Sequence, residues 1–219
     1  MNIMDKYRQE LRQYLQRGSL EFEKENRDFD GKVTFAFRKF PENKEWTEIR
    51  FKVAIVNDFY GTGVPSRDKM ADHILRRRID ARLRKGDVRL VDSLRSGHRI
   101  RGGRDFYVFA TKYCHFSQPT KFPIYDSIVS RTLVRVDRAL GLRSALGFRP
   151  TVERLRASYP RFKLNLDLLL EGLRLGVRWK YKRLDEGLYY LGLALGLGRG
   201  LGDDGQFVRA SVGPAPKWI

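Results

Sequence analysis

The sequence predicts a mainly α-helical protein, and two observations carry the prediction. Apolar residues recur at intervals of three and four in segment after segment, the period of a helix that buries one face. Glycine and proline fall between those segments as stops and starts, and only "KVTFAFRKF" (32–40) carries part of the alternation expected of a strand.

The elements can be taken in chain order. Met4, Tyr7, Leu11 and Leu15 share one face, which predicts a helix over 4–16, with Gly18 as its stop. Residues 32–40 read as a short strand or a buried loop near the N-terminus. From Trp46 to Phe59 the helical period returns until "YGTGVPS" breaks it, and Pro65 and Ser66 open a helix that reaches about Arg77. The basic run "RRRIDARLRKG" (76–86) reads as a solvated helix face. In "DVRLVDSLRS" (87–96), Asp87 is a candidate N-cap, Val88, Val91 and Leu94 share a face, and Gly97 is a stop. "HRIRGG" makes a short connection. "RDFYVFATKYCHF" (104–116) then resumes helical spacing through Phe106, Phe109, Tyr113 and Phe116, giving a helix, a tight hairpin and a helix. Further helices are predicted in "SIVSRTLVRVDRALGL", "LNLDLLLEGLRLGV" and "RLDEGLYYLGLALG". The Gly-rich tail from Gly192 reads as loop. Neither a repeat nor a linker stands out, so 1–219 reads as a single helical domain with room for two lobes.

Charge points to partners. The chain carries 44 Lys+Arg against 26 Asp+Glu, a formal net charge of +18. Polyanions are attracted to such a body over long range, nucleic acid first and an anionic membrane surface second. Cys114 is the one cysteine, which excludes an intrachain disulfide and a four-Cys metal or iron–sulfur site. His73, His98 and His115 form no ligand motif, so neither a tightly bound metal nor a cofactor is expected. The N-terminus has no apolar signal core and no window is apolar enough to span a bilayer, so a soluble, cytoplasmic protein is expected; a monomer is expected as well.

The block "FATKYCHFSQPTKFPIYDS" (109–127) holds the candidate chemistry. Lys112 stands at the border of the aromatic face of its helix. One reading is a surface lysine whose stem lies on the apolar patch while its ammonium stays in water. The other is a nucleophile, because an amine beside an apolar wall loses hydration when charged and can then attack an electrophilic carbon. Asp126 is equally open: it can cap the helix "SIVSRTL", or stabilise positive charge at a reaction centre. Spacing does not decide between these readings.

A helix, a hairpin and a second helix bearing a lysine, followed by an apolar-Pro-apolar phrase that ends in Asp, resembles the helix-hairpin-helix DNA glycosylases. The block 109–127 is most similar to their divergent branch with an 8-oxoguanine DNA glycosylase-type fold. "VAIVNDFYGTGV" (53–64) and "RLDEGLYYLG" (183–192) resemble other blocks of that branch. The resemblance implies a glycosylase-like helical bundle acting on double-stranded DNA that contains a damaged base. It implies Lys112 as the nucleophile at the sugar C1′ and Asp126 as the supporting carboxylate. The base excised would be an oxidised purine, 8-oxoguanine before others, and an AP-lyase step can accompany its removal. The target nucleotide must leave the base stack to be reached. Gly102 and Gly103, with Arg101 and Arg104, would hold a DNA phosphate, although the loop reads "GHRIRGG" where the family carries "GVG". Asn57 and Tyr60 would approach the DNA, and Phe109, Tyr113 and Tyr125 would be walls for the base or part of the core. Such an enzyme would be associated with the nucleoid. Two alternatives stand beside it: a non-catalytic helix-hairpin-helix DNA-binding protein, and a DNA-binding component of a defence or mobile-element system.

Overall fold

The structure is a computed structural model that describes residues 2–96, 105–141, 147–175, 179–198 and 212–219. The described residues form ten helices and no strand ladder, as a mainly helical chain requires. In order they are α1 (Ile3–Lys39), α2 (Trp46–Tyr60), α3 (Arg67–Arg77), α4 (Asp80–Lys85), α5 (Arg89–Arg95), α6 (Tyr107–Ser117), α7 (Ser127–Leu140), α8 (Val152–Ala157), α9 (Tyr159–Gly172) and α10 (Tyr181–Ala194).

The chain divides into two compact units. One comprises residues 1–26 and 126–219, the other residues 27–125, and α1 contributes a part to each. This first helix is the largest departure from the sequence reading. It runs for 37 residues, through the expected stop at Gly18 and through the expected strand at 32–40. A strand would set Val33, Phe35 and Phe37 on one face. Instead Val33 and Phe37 are buried while Phe35 is 65% exposed, and Ala36 is buried with them, which is helical spacing.

In the first unit, close approach explains the glycines. An ideal Cβ on Gly18 would lie 3.0 Å from Tyr190 Cβ, and one on Gly187 would lie 2.6 Å from the Leu15 carbonyl oxygen. Gly18 is therefore a contact point between α1 and α10, not a helix end. Ser19 adds a buried hydrogen bond to Glu186 (2.8 Å). Gly192 meets Ile128 and Thr132, so α10 packs on α7. The C-terminal residues dock in the same unit: Trp218 stacks on Tyr7 at 4.6 Å and its Nε1 donates to Glu10 (2.8 Å).

In the second unit, α2 packs on α3 and α6, and α5 on α6. Ser66 is the N-cap of α3, accepting from Lys69 N (3.3 Å), so the helix begins one residue beyond the expected pair. The basic run 76–86 is not one helix face. It turns at Arg78, whose φ of 46° is left-handed, and restarts as α4. Asp87 accepts from Arg89 N (3.0 Å) and steadies the start of α5. No helix among the described residues is long and apolar enough to cross a membrane.

Candidate active site

Helices α5 and α6 meet where the described chain stops at Ser96 and resumes at Asp105. Ser96 and Asp105 form an antiparallel bridge, and Phe106 N donates to Arg95 O (3.0 Å). Arg95 closes this junction with a two-pronged ion pair to Asp105, Nε to Oδ1 at 3.0 Å and Nη2 to Oδ2 at 2.7 Å, and its guanidinium lies 4.0 Å from the Tyr107 ring centre. Such a planar fork is the strong, orientation-fixing form of the Arg–carboxylate pair. The expected phosphate contacts Arg101, Gly102, Gly103 and Arg104 fall in 97–104, outside the described residues.

Lys112 projects from the middle of α6 and is half-buried. Its Nζ stands 4.1 Å from the centre of the Tyr60 ring, a cation–π contact. Tyr60 is itself held: its hydroxyl donates to Asp30 Oδ1 (2.6 Å) and its ring stacks on Phe116 at 5.6 Å. Tyr60, which the resemblance would bring toward DNA, lies under the Lys112 Nζ. Asn57 is occupied by the turn that follows α2, its Oδ1 accepting from Val64 N (2.8 Å) and from Thr62 Oγ1 (3.1 Å). Gly61 and Gly63, at φ 56° and 71°, allow that turn.

The segment after α6 folds back along one face of it. His115 donates from Nδ1 to the Phe122 carbonyl (2.8 Å), a direction fixed because a carbonyl only accepts. Tyr125 N donates to Thr111 Oγ1 (3.2 Å), and the rings of Tyr107 and Tyr125 lie 4.5 Å apart. Tyr107, Thr111 and His115 are spaced by four, so one stripe of α6 holds the whole "FPIY" phrase. The residue before Lys112 thus grips the residue before Asp126.

Asp126 is the N-cap of α7. Its Oδ1 accepts from Ile128 N (2.7 Å) and Val129 N (3.3 Å), and the residue is half-buried. It belongs to the first unit and Lys112 to the second. Phe109, Tyr113 and Tyr125 are buried, 0–3% exposed, so the core reading describes them better than the base-wall reading. Tyr113 also makes a polar contact inside that core, where its hydroxyl donates to Asn43 Oδ1 (2.6 Å).

That bond belongs to a buried polar group missed in the sequence. Lys52, fully buried on α2, donates through Nζ to the carbonyls of Phe40 (2.9 Å) and Glu42 (2.8 Å) and to Asn43 Oδ1 (2.8 Å). Asn43 in turn donates to Asp80, from N (3.0 Å) and Nδ2 (2.6 Å). Burial pushes the Lys52 ammonium down to about 8, while the Asp80 charge pulls the other way. Three oxygen acceptors satisfy its three donors, so Lys52 ties the loop between α1 and α2 to the core. A lysine between Phe51 and Val53 in an otherwise apolar run was the available signal.

Comparison with known proteins places the chain in sequence space. Residues 5–121, which span α1 to α6 and include Lys112 but stop short of Asp126, match the family described as HI_0787_N, N-terminal domain. A relative from Haemophilus influenzae (strain ATCC 51907 / DSM 11121 / KW20 / Rd), named "Uncharacterized protein", is 39% identical over 127 residues. That alignment covers 54% of this chain and 62% of the relative, so the chain spans less than two thirds of the relative's length. No solved structure matches. Since the matched segment is more than half of the chain, the protein belongs to the HI_0787_N N-terminal domain family.

Proposed function

We propose that the protein is a helix-hairpin-helix DNA glycosylase that removes an oxidised purine from duplex DNA, with Lys112 as nucleophile and Asp126 as the supporting carboxylate. The observation that carries this reading is the return of "FPIY" along the Tyr107, Thr111 and His115 stripe of α6. It joins the lysine helix to the "FPIY" phrase within the second unit, which supports reading the two as one block. The clamped junction of α5 and α6 and the +18 charge agree with a DNA-bound helix pair. In the reaction, Lys112 first gives up its ammonium proton to solvent, its amine attacks C1′, the glycosidic C–N bond breaks, and the departing base takes the electron pair and the proton that the newly bonded nitrogen sheds. In the resulting aminal the C1′–O4′ bond then breaks, a proton passes from the nitrogen to O4′, and the ring-opened Schiff base remains. Asp126 stabilises the positive charge that develops on the sugar as the base leaves.

A specific observation favours a second reading. Asp126 is fully explained as an N-cap, and the three expected base walls are core residues, which is what a DNA-binding member without catalysis would show. Single-turnover excision separates the two. A labelled duplex with one 8-oxoguanine is incubated with excess protein and cleaved with hot alkali. Strand cleavage by the wild type and its loss in Lys112→Arg support the enzyme. Binding of the same duplex without excision over a panel of oxidised bases supports the non-catalytic protein.

A further inference from the structure

A cleft of about 750 Å³ opens where the loop after α1 meets the end of α3 and the start of α4, all within the second unit. Four cationic side chains line it, Lys44, Arg76, Arg78 and Arg84, with Asn43 and Asp80. The single carboxylate of the lining is held by Asn43, from which both Asp80 oxygens accept, and its charge is felt by Lys44. Lys44 pairs with Glu42 outside the cleft lining (2.7 Å), and Arg76 approaches Asp72 only at 3.9 Å. Among the described residues, the Arg78 and Arg84 guanidiniums have no ion-pair or hydrogen-bond partner.

Arg78 carries a second, independent sign. It holds the left-handed conformation, φ 46° and ψ 55°, at the C-terminal cap of α3. Glycine is the ordinary residue there, because a Cβ is disfavoured in that region. Among the described residues only Arg78 and Arg174 hold such a conformation without being glycine, and Arg78 is the one that lines the cleft. The turn at Arg78 is also what swings α4, and with it Arg84, to the other wall of the cleft. Arg78 and Arg84 thus bring two guanidiniums without a carboxylate partner to one opening, with Lys44 and Arg76 beside them.

We propose that this cleft is a phosphate-binding site, in which Arg78 and Arg84 grip the oxygens of a phosphate group and Lys44 and Arg76 add charge from the rim. Planar guanidiniums match phosphate oxygens in pairs, which gives such a site preference over a spherical anion. The phosphate can come from a nucleic-acid backbone or from a free phosphorylated molecule. The first source rests on the DNA reading above; the second does not.

Two titrations test it, on wild type, Arg84→Gln and Arg78→Gly, at matched ionic strength in chloride. One uses inorganic phosphate followed by calorimetry, the other an undamaged short duplex followed by anisotropy. Arg84→Gln, on an exposed position, should weaken the responsive ligand by about tenfold, the loss of a charge-assisted pair. Arg78→Gly should weaken it similarly without lowering the Tm, and relief of the left-handed residue can raise the Tm by as much as about 3 °C. Loss of phosphate binding with unchanged duplex affinity identifies a free ligand. Loss of duplex affinity identifies the backbone. If both variants bind both probes as wild type does, or if chloride competes as well as phosphate, the proposal is overturned. None of these readouts depends on base excision, so a failed glycosylase assay leaves them intact.

Discussion

Lys52 and Lys112 are both amines set against aromatic rings, yet they serve different ends. Lys52 is fully buried, with three oxygens around its ammonium, whereas Lys112 is half-buried over Tyr60. Replacing Lys52 by Met removes the donor and strands those acceptors, so stability should fall by roughly 2–4 kcal/mol in urea unfolding. The pH dependence has a definite sign. Lys52 titrates at about 8 when folded, below its ordinary value of 10.5. Between these values the unfolded chain holds the extra proton, so this group's contribution to stability rises with pH from about 8 to about 10. Wild type should therefore gain up to about 2 kcal/mol on Lys52→Met over that interval. Parallel profiles for the two proteins would show that Lys52 is not depressed. For Asp126, Asn caps nearly as well as Asp, so Asp126→Asn should keep the Tm within a few degrees. Its excision rate should drop by at least about a hundredfold if the carboxylate stabilises the developing charge. An unchanged rate would leave Asp126 as a cap alone. The lysine in its aromatic helix and the capping aspartate were both readable from the sequence, because each depends on local spacing. The buried polar group around Lys52 was not, since Asn43 and the residues it joins, Tyr113 and Asp80, come from three separate segments.

At the scale of elements, the glycines show what local reading leaves out. Gly18 looks like a stop, yet α1 passes through it because the missing Cβ lets Tyr190 approach. Gly187 sits closer still, against the Leu15 backbone, which cannot move aside as a side chain can. Gly187→Ala should cost more than about 2 kcal/mol despite alanine's better helix propensity. Gly31 lies within the same helix α1 with nothing near its absent Cβ. Gly31→Ala should therefore stabilise by about 0.5–1 kcal/mol. Thermal melts of the two variants check both signs at once, and a shift in the same direction would contradict the packing described here. The helices α2, α3, α5, α6, α7, α9 and α10 were legible, from apolar stripes and from breakers such as Pro65 and Ser66 ahead of α3. The turn at Arg78 was not, because no residue in "RRRID" signals a left-handed position, and the cationic cleft beside it was hidden with it. Residues 32–40 failed for a different reason: the spacing of Val33, Ala36, Phe37 and Phe40 is helical, but Val33, Phe35 and Phe37 imitate alternation.

At the scale of the whole molecule, the fact that bears most on function is charge. With a formal +18, a protein that neutralises six phosphates should lose affinity for duplex DNA on the order of a thousandfold between 50 and 200 mM salt. An affinity that is flat over that range would remove nucleic acid as the partner and the glycosylase reading with it. The central claim is narrower, and lies in the amine of Lys112. The most direct measurement is reductive trapping: protein and a labelled duplex bearing an oxidised purine are mixed with borohydride, resolved on a denaturing gel, and the adduct is mapped by mass spectrometry of its peptides. The account predicts a covalent adduct on the peptide that contains Lys112, absent from Lys112→Arg, whose guanidinium forms no Schiff base. No adduct on any of a broad panel of lesions, or an adduct that persists in Lys112→Arg, would contradict it.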